Sequence, residues 1–342
     1  MTHLTAPSNS SDHTRRRLLL AASGSALVAC GLPRMARAQD WPSRPIRLIA
    51  AQAPGSSNDT TARALGTYLS TQLKTPVVVE NKPGAIGMIA ADAVAHSNPD
   101  GYTLLITLHS QLAQAPVLLK KPPINPDTDL IPIGAYSTGL SPAAVKKSLP
   151  VKNLKELIAL SKTRPISVGN YGIGSSWQLM IKKLGEMTGG EFTIVNYKGT
   201  GPMVMDLMAG NIDLGAGSLA GLLGGIENGS IKPVFLLNSD SKNPVLPGVR
   251  SWVEEGFTGP VFENLTEYNM VLAPAGTPAK IIETLSDLIR RSPAESKEVK
   301  QTLNLLGIPE HTPLVGAELK TMIGQIWPTF RRLTKELNIQ VG

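Results

Sequence analysis

A unit of strand, glycine/serine loop, helix and strand occurs twice in this chain, and this repetition constrains the fold more than any other feature. In the first copy, the short apolar run at Ile46, Leu48 and Ile49 lies between prolines, as expected of a buried strand. Residues 53–59 (Ala-Pro-Gly-Ser-Ser-Asn-Asp) form a loop, and residues 77–79 are a second β-branched run. Between them, apolar residues recur at the spacing of a buried helix face, at Ala62, Leu65, Leu69 and Leu73.

The second copy has the same order. Residues 166–169 are a short strand, residues 170–176 a glycine/serine loop, and residues 192–195 the next strand. Elsewhere in the chain, strands also alternate with helical stretches, which indicates α/β lobes built on largely parallel sheets. Two such units far apart in one chain predict two lobes that face one ligand.

The loop in each unit is the predicted binding element. Free backbone N–H groups at a helix start, beside small residues, form a site for a small anion such as a carboxylate. We expect Ser57 or Asn58 to cap the first helix, with Asp59 in its first turn. Two alternatives remain open: Asp59 faces the ligand or only bonds to the backbone, and Ser175 and Ser176 donate to a ligand carboxylate or only cap the second helix.

Composition and motifs argue against other classes of protein. Of the formal charge of +7, the first 38 residues contribute +4, and aromatic residues make up only 4% of the chain, so the sequence does not indicate nucleic-acid binding. No zinc-protease, Walker or nucleophile-elbow motif occurs. His109 and Asp59 are the only pair we name as a candidate for catalysis. The sequence therefore favours binding without catalysis, with no cofactor and no metal.

The N-terminus reads as a targeting segment. Arginines 15–17 precede an apolar stretch, and residues 36–38 (Ala-Arg-Ala) form a cleavage site of small residues, the order of a secretory signal. The paired arginines are similar to those of a twin-arginine signal, and the general secretory route is the alternative. Cys30 ends a lipoprotein-like cleavage box. Two alternatives are therefore open: a lipid anchor attached to Cys30, or cleavage after Ala38, which gives a periplasmic protein.

Ordered motifs along the chain resemble the Bug family, the TctC-like substrate-binding proteins of tripartite tricarboxylate transport systems. The first is the loop at residues 53–59 with Ala62 and Arg63. Others follow at residues 78–85, 99–103, 197–199, 207–213 and 273–278. Two positions depart from the family pattern, because Ser56 stands where a second glycine is usual and Gln178 where histidine is common.

The resemblance implies a type II-like, two-lobe periplasmic binding protein of α/β class with an interlobe cleft. We place a signal peptide at residues 1–38, one lobe at residues 39–141 and 266–342, and the other at residues 142–265. Ligand contacts are expected where the family's loops fall in this sequence. These positions are Gly55, Ser56, Ser57, Asp59, His109 and Ser110 in the first lobe, and Gly172, Gly174, Ser175, Ser176, Tyr197 and Gly199 in the second.

The family also implies partners. The expected ligand is a small organic acid or an amino-acid-like solute, held by backbone N–H groups and ordered water. The expected protein partners are membrane subunits of a tripartite tricarboxylate transporter, with a sensor kinase as the alternative. We expect a monomer that binds no nucleic acid.

Overall fold

The computed structural model describes residues 1–3, 41–139, 141–237, 245–263, 265–307 and 312–340. The fold described below belongs to residues 41–342, which form a compact unit. The predicted signal arginines, Cys30 and the cleavage site at Ala38 lie outside the described residues. In the part of the chain that is described, no helix has the length and apolar character needed to cross a bilayer.

Strands and helices alternate along most of this unit. The strands are β1 (Ile46–Ala50), β2 (Val77–Asn81), β3 (Thr103–Leu108), β4 (Leu130–Ser137), β5 (Pro142–Lys146), β6 (Ile166–Asn170), β7 (Phe192–Asn196), β8 (Leu214–Ala216), β9 (Ile231–Leu236), β10 (Tyr268–Pro274) and β11 (Leu314–Val315). The helices are α1 (Ser57–Leu73), α2 (Met88–Ala95), α3 (His109–Leu118), α4 (Leu154–Ser161), α5 (Ser176–Thr188), α6 (Thr200–Ala209), α7 (Leu219–Glu227), α8 (Pro260–Glu263), α9 (Ala279–Glu295), α10 (Lys297–Leu305) and α11 (Gly316–Glu336). A single 3-10 turn, Ala85–Gly87, precedes α2.

The strands form two sheets. The first has the order β11-β4-β10-β3-β1-β2, and the second has the order β7-β6-β8-β5-β9. The repeated unit is confirmed, since β1 pairs with β2 in parallel from Ile46–Val77 to Ala50–Asn81. In the same way, β6 pairs with β7 in parallel and ends at the pair Asn170–Asn196. Each unit therefore brings the loop after its first strand next to the end of its second strand.

The prediction of an α/β protein with two lobes is confirmed, but the prediction of largely parallel sheets needs correction. Strand β10 runs antiparallel to both β3 and β4, and β5 runs antiparallel to both β8 and β9. The parallel pairs lie among β1, β2 and β3 and among β6, β7 and β8, which follow one another through helices, whereas β5 and β10 reach their sheets by other connections. Both sheets are therefore mixed.

Beside the second sheet, four aromatic residues form one buried cluster: Trp177, Phe235, Trp252 and Phe262. Trp252 is fully buried. Its ring centroid lies 4.7 Å from that of Phe235, 5.0 Å from that of Phe262 and 6.1 Å from that of Trp177. Large aromatic side chains bury more area than any others. In a chain with few aromatics, this cluster is therefore a main source of packing around the second sheet.

Replacing Trp252 with alanine is expected to lower the free energy of unfolding by about 3–5 kcal/mol, because a buried aromatic leaves a cavity that its neighbours fill only partly. Urea unfolding followed by circular dichroism measures the loss. Met205, of which 70% is exposed, is the control, and Met205→Ala is expected to change the value by less than about 0.5 kcal/mol. A loss of under about 1 kcal/mol for Trp252→Ala would contradict the prediction.

Candidate ligand-binding site between the two sheets

The carboxyl ends of the parallel strands in the two sheets face each other across a closed cleft. Hydrogen bonds join the two sides directly. The Ala53 N–H donates to the Lys198 carbonyl over 3.0 Å. Gln111 Nε2 donates to the Ile173 carbonyl over 3.2 Å, and Gln114 Nε2 donates to the Gly174 carbonyl over 2.6 Å. The loops named from the sequence thus meet across one cleft.

Both glycine/serine loops end in the same hydrogen-bonded cap. Helix α1 begins one residue earlier than predicted, because Ser56 rather than Ser57 or Asn58 is the N-cap and its hydroxyl accepts the Asp59 N–H. The Asp59 carboxylate in turn accepts the Gly55 N–H over 3.0 Å. This reciprocal pattern is a variant of the capping box.

The second loop repeats the arrangement with a neutral side chain. Ser175 caps α5 and accepts the Gln178 N–H, while Gln178 Oε1 accepts the Gly174 N–H over 2.9 Å. Gln178, one of the two departures from the family pattern, therefore orders its own loop. In both loops, the N–H groups of the glycine and of the third helical residue are used inside the protein.

Asp59 holds its part of the first loop together. Its carboxylate also pairs with Arg63 and accepts a hydrogen bond from Asn81 Nδ2 over 2.9 Å. Burial by itself would raise the pKa of Asp59, but the hydrogen bonds from Arg63, Gly55 and Asn81 outweigh it and lower that pKa. The structure therefore shows Asp59 as an ionised residue engaged within its own lobe.

The main cavity of the cleft lies beside these loops, not at their N–H groups. Its volume is about 220 Å³, below that of sites for drug-sized ligands, which suits a small solute. Both sheets contribute to its wall. The lining residues are Ala51, Gln52, Gly84, Ala85, Ile86, Gly87, Gln111, Tyr171, Gly172, Ile173, Asn196, Tyr197 and Lys198.

One wall of the cavity is a turn in an uncommon conformation. Residues 84–87 all have positive φ, at 127°, 45°, 51° and 80°, although Ala85 and Ile86 are not glycines. No acceptor among the described residues takes the N–H groups of Ala85 and Ile86. Left-handed non-glycine residues cost about 1–3 kcal/mol each and occur preferentially at functional sites. Successive N–H groups in such turns form concavities that bind anions.

Two amide side chains of the cavity have polar atoms that the protein leaves unpaired. Gln52 Nε2 and Gln111 Oε1 are buried and have no hydrogen-bond partner within the described residues. Lys198 lines the mouth of the cavity and is exposed. Because buried polar groups are nearly always hydrogen-bonded, these atoms mark a place where a ligand or water completes the site.

Glu267, just before β10, joins both sides of the cleft. Its Oε1 accepts the hydroxyl of Ser110 over 2.8 Å and the N–H of Ser176 over 2.7 Å. Its Oε2 is buried without a hydrogen-bond partner in the described part of the chain. Burial raises the pKa of Glu267 to about 7, although the bonds from Ser176 and Ser110 act in the opposite direction.

His109 is a buried neutral side chain. Its Nε2 donates to the Thr266 carbonyl over 2.9 Å, and its ring packs edge-on against Tyr268 and Phe330. Burial lowers the pKa of His109 to about 4, against a smaller raising effect of the Thr266 bond. Its Nε2 lies 3.9 Å from Glu267 Oε2, too far for a hydrogen bond. The hydrogen bonds of His109 and of Asp59 go to different partners, so the pair named as a catalytic candidate is not formed.

The twelve residues predicted to contact ligand fall into three groups. Gly172 and Tyr197 line the main cavity, and Ser57 lines a smaller one behind it. The others are held by intramolecular contacts at the cleft. They are the loop and cap residues Gly55, Ser56, Asp59, Gly174 and Ser175, the Glu267 partners Ser110 and Ser176, the buried His109, and Gly199, which follows the Lys198 contact.

Sequence reasoning missed the residues that complete the cavity. Residues 84–87 form the strained turn of the cavity wall. Gln52, Gln111 and Glu267 belong to none of the sequence motifs described above. The Gly-Ala-Ile-Gly spelling after a strand was the one available signal, since paired glycines accommodate left-handed backbone. Within the described residues, no group of three or more His, Cys, Asp or Glu side chains is placed to hold a metal ion.

Comparison with known proteins agrees with this architecture. Residues 61–308 match the family described as the tripartite tricarboxylate transporter family receptor, TctC. The chain is 32% identical to the protein BugT of Bordetella pertussis over 306 residues, 89% of this chain and 91% of BugT.

Solved structures give the same result. The periplasmic binding protein BugD is 29% identical, with a TM-score of 0.77 over 88% of this chain and 99% of BugD. A protein of R. palustris, Rpa4515, solved with adipate, is 28% identical and has a TM-score of 0.77 over the same shares of the two chains. The chain therefore belongs to the TctC family of tripartite tricarboxylate transporter receptors, which are periplasmic solute-binding proteins.

Proposed function

We propose that this protein is an extracytoplasmic receptor that closes around a small carboxylate and delivers it to a tripartite tricarboxylate transporter. The carboxylate lies in the main cavity, against the turn of residues 84–87. The observation that carries the proposal is the set of left-handed residues whose free N–H groups border a small cavity with Lys198 at its mouth. The structure of the relative with adipate supports a carboxylate ligand.

The finer assignments follow from this proposal. The first lobe comprises residues 39–141 and 266–342, and the second comprises residues 142–265. The twelve predicted residues act partly through contact, as at Gly172 and Tyr197, and partly by shaping the closed cleft. The mature chain begins after Ala38, following export through a twin-arginine-like signal, and works as a monomer.

Binding without catalysis is part of the proposal. His109, the one histidine predicted at the site, is neutral, packed between rings and bonded to a backbone carbonyl, and Asp59 is bound within its own loop. A general base must reach the proton that it abstracts. Neither residue lines the main cavity, which supports a receptor instead of an enzyme.

Isothermal titration of the mature chain with small mono-, di- and tricarboxylates tests the function. At least one carboxylate is expected to bind stoichiometrically, to remain unchanged on recovery, and to raise apparent stability by a few kcal/mol at saturating concentration. Binding of neutral or cationic solutes with no carboxylate bound would overturn the proposal. Recovery of a converted product would overturn the claim of binding without catalysis.

Gly84→Ala is expected to weaken carboxylate binding at least tenfold, because Gly84 has a φ of 127°, which lies outside the left-handed region that residues with a Cβ can adopt. The backbone of the turn must then move, and the N–H groups of Ala85 and Ile86 move with it. Titration of the variant with the best-bound carboxylate measures the effect. Gly229→Ala is the control, since Gly229 also has positive φ (70°) but has no atom within 4 Å of the added carbon. Equal affinities for Gly84→Ala and the control would exclude the turn from the binding site.

A further inference from the structure

A second, smaller chamber adjoins the main cavity. It shares Gln52 and Tyr171 with the main cavity and is also lined by Ser57, Thr200, Ser218 and Glu267. Its volume is about 10 Å³, room for one water-sized group. The chamber therefore accommodates one polar head group of a ligand whose body occupies the main cavity.

Two of the residues that line the chamber, Glu267 and Ser218, each have a side-chain oxygen with no partner among the described residues. These atoms, Glu267 Oε2 and Ser218 Oγ, are both buried. Glu267 itself is 7% exposed and Ser218 is 4% exposed. An unpaired buried carboxylate oxygen costs more free energy than an unpaired neutral group, so this position favours an occupant that donates a hydrogen bond.

Among the described residues, no Lys or Arg pairs with Glu267. The one base paired with it among the described residues is His109, which lies 3.9 Å from Oε2 and donates its Nε2 proton to Thr266 instead. The other oxygen of Glu267 already accepts from Ser110 and from Ser176 at the start of α5. A ligand carboxylate is therefore excluded from this helix N-terminus, because the protein's own carboxylate is there.

The two ends of the site thus have opposite polarity. The turn of residues 84–87 offers unpaired N–H groups and Lys198 stands at the mouth, whereas the chamber offers the unpaired oxygen of Glu267. We propose that Glu267 selects the ligand: the chamber binds a hydroxyl or ammonium group, so the solute is a carboxylate that also carries a hydrogen-bond donor. This inference rests on the proposed carboxylate-binding function and narrows its substrate class.

Matched acids that differ at one carbon test the inference. Titration of the wild-type mature chain at pH 8, above the pKa of about 7 of the Glu267 carboxyl, compares unsubstituted, hydroxyl-bearing and amino-bearing acids: propionate, lactate and alanine; succinate, malate and aspartate; glutarate, 2-hydroxyglutarate and glutamate. In any series that binds, a donor-bearing member is expected to bind at least tenfold more tightly than the unsubstituted acid. Comparison of the hydroxyl-bearing member with the amino-bearing member of that series shows which of the two donors the chamber prefers.

Glu267→Gln provides a direct test of the residue. The amide oxygen is able to keep the bonds from Ser110 and Ser176, while the amide nitrogen replaces Oε2 and turns the acceptor of the chamber into a donor. The preference for donor-bearing acids is expected to fall to within about twofold. Glu263→Gln, an exposed carboxyl on α8, is the control and is expected to keep the wild-type preference. Circular dichroism establishes that each variant is folded.

The outcomes separate the two proposals. If unsubstituted acids bind the wild type as tightly as their donor-bearing partners, the chamber holds only water and the inference is wrong, while the carboxylate receptor stands. If Glu267→Gln keeps the full preference, Glu267 is not the selecting residue. If no acid of any series binds, the proposed function fails, and the inference fails with it.

Discussion

Replacing Asp213 with alanine is expected to lower the free energy of unfolding by about 3 kcal/mol, because the change leaves two cations and a buried N–H without their acceptor. Asp213 is 4% exposed and precedes β8. Its carboxylate binds Lys146 Nζ over 2.9 Å and Arg164 Nη1 over 2.8 Å, and it accepts the Ser167 N–H over 3.1 Å. One side chain thereby joins the ends of β5, β6 and β8. Urea unfolding measures the loss.

An ion pair on the surface gives the matched control. Asp287 binds Arg291 over 2.9 Å on α9, with both side chains substantially exposed. Such pairs contribute little, so Asp287→Ala is expected to change the free energy of unfolding by less than about 0.5 kcal/mol. Equal losses in the two variants would show that burial adds nothing to the Asp213 network.

The Asp213 contribution also depends on pH. Burial alone would raise the pKa of Asp213, but hydrogen bonds from Arg164, Lys146 and Ser167 hold it well below its usual value. A depressed folded-state pKa stabilises the protein above the unfolded-state value of about 4, and this stabilisation is lost as the pH falls further. The difference between wild type and Asp213→Ala is therefore expected to be constant near pH 7 and to shrink below about pH 4.

Much of the fold could be predicted because local patterns determine it. The apolar spacing from Ala62 to Leu73, the β-branched strands and the glycine/serine loops predicted both strand–helix–strand units, and each unit pairs its strands in parallel as expected. The register places Asn81 and Asn170 at strand ends beside their loops. The prediction of largely parallel sheets is wrong at β5 and β10. These strands join their sheets without a crossover helix, and their antiparallel pairing depends on long-range connections.

The site was less predictable for the same physical reason. A run of left-handed residues at Ala85 and Ile86 contradicts local preference, and only surrounding packing sustains it. Glu267 reaches Ser110 and Ser176 from positions 157 and 91 residues away in sequence, so no spacing indicates the contact. The predicted backbone N–H donors of the two loops are present, but most of them already donate to Asp59, Gln178 and Glu267 or to the cap serines. Local patterns thus located the cleft, while its chemistry arises from contacts between distant segments.

Glu267→Gln is expected to raise the free energy of unfolding at pH 8 by up to about 3 kcal/mol relative to wild type, with the gain vanishing near pH 4. The pKa of Glu267 is raised to about 7 by burial, whereas an unfolded glutamate titrates near 4.3. Between these values, the folded protein binds a proton that the unfolded chain has lost, so wild-type stability falls as the pH rises through this window. Glutamine has no such titration.

The difference between the two stability curves isolates Glu267. His109 destabilises the folded state toward acid, because its pKa is lowered to about 4, but it is present in both proteins and its contribution largely cancels. Any hydrogen bond that glutamine makes less well adds an offset that is the same at every pH. Urea unfolding from pH 4 to pH 8 gives both curves. A difference that does not change with pH would mean that Glu267 has the same pKa in the folded protein as in the unfolded chain, with its charge satisfied by a group or water that offsets the cost of burial.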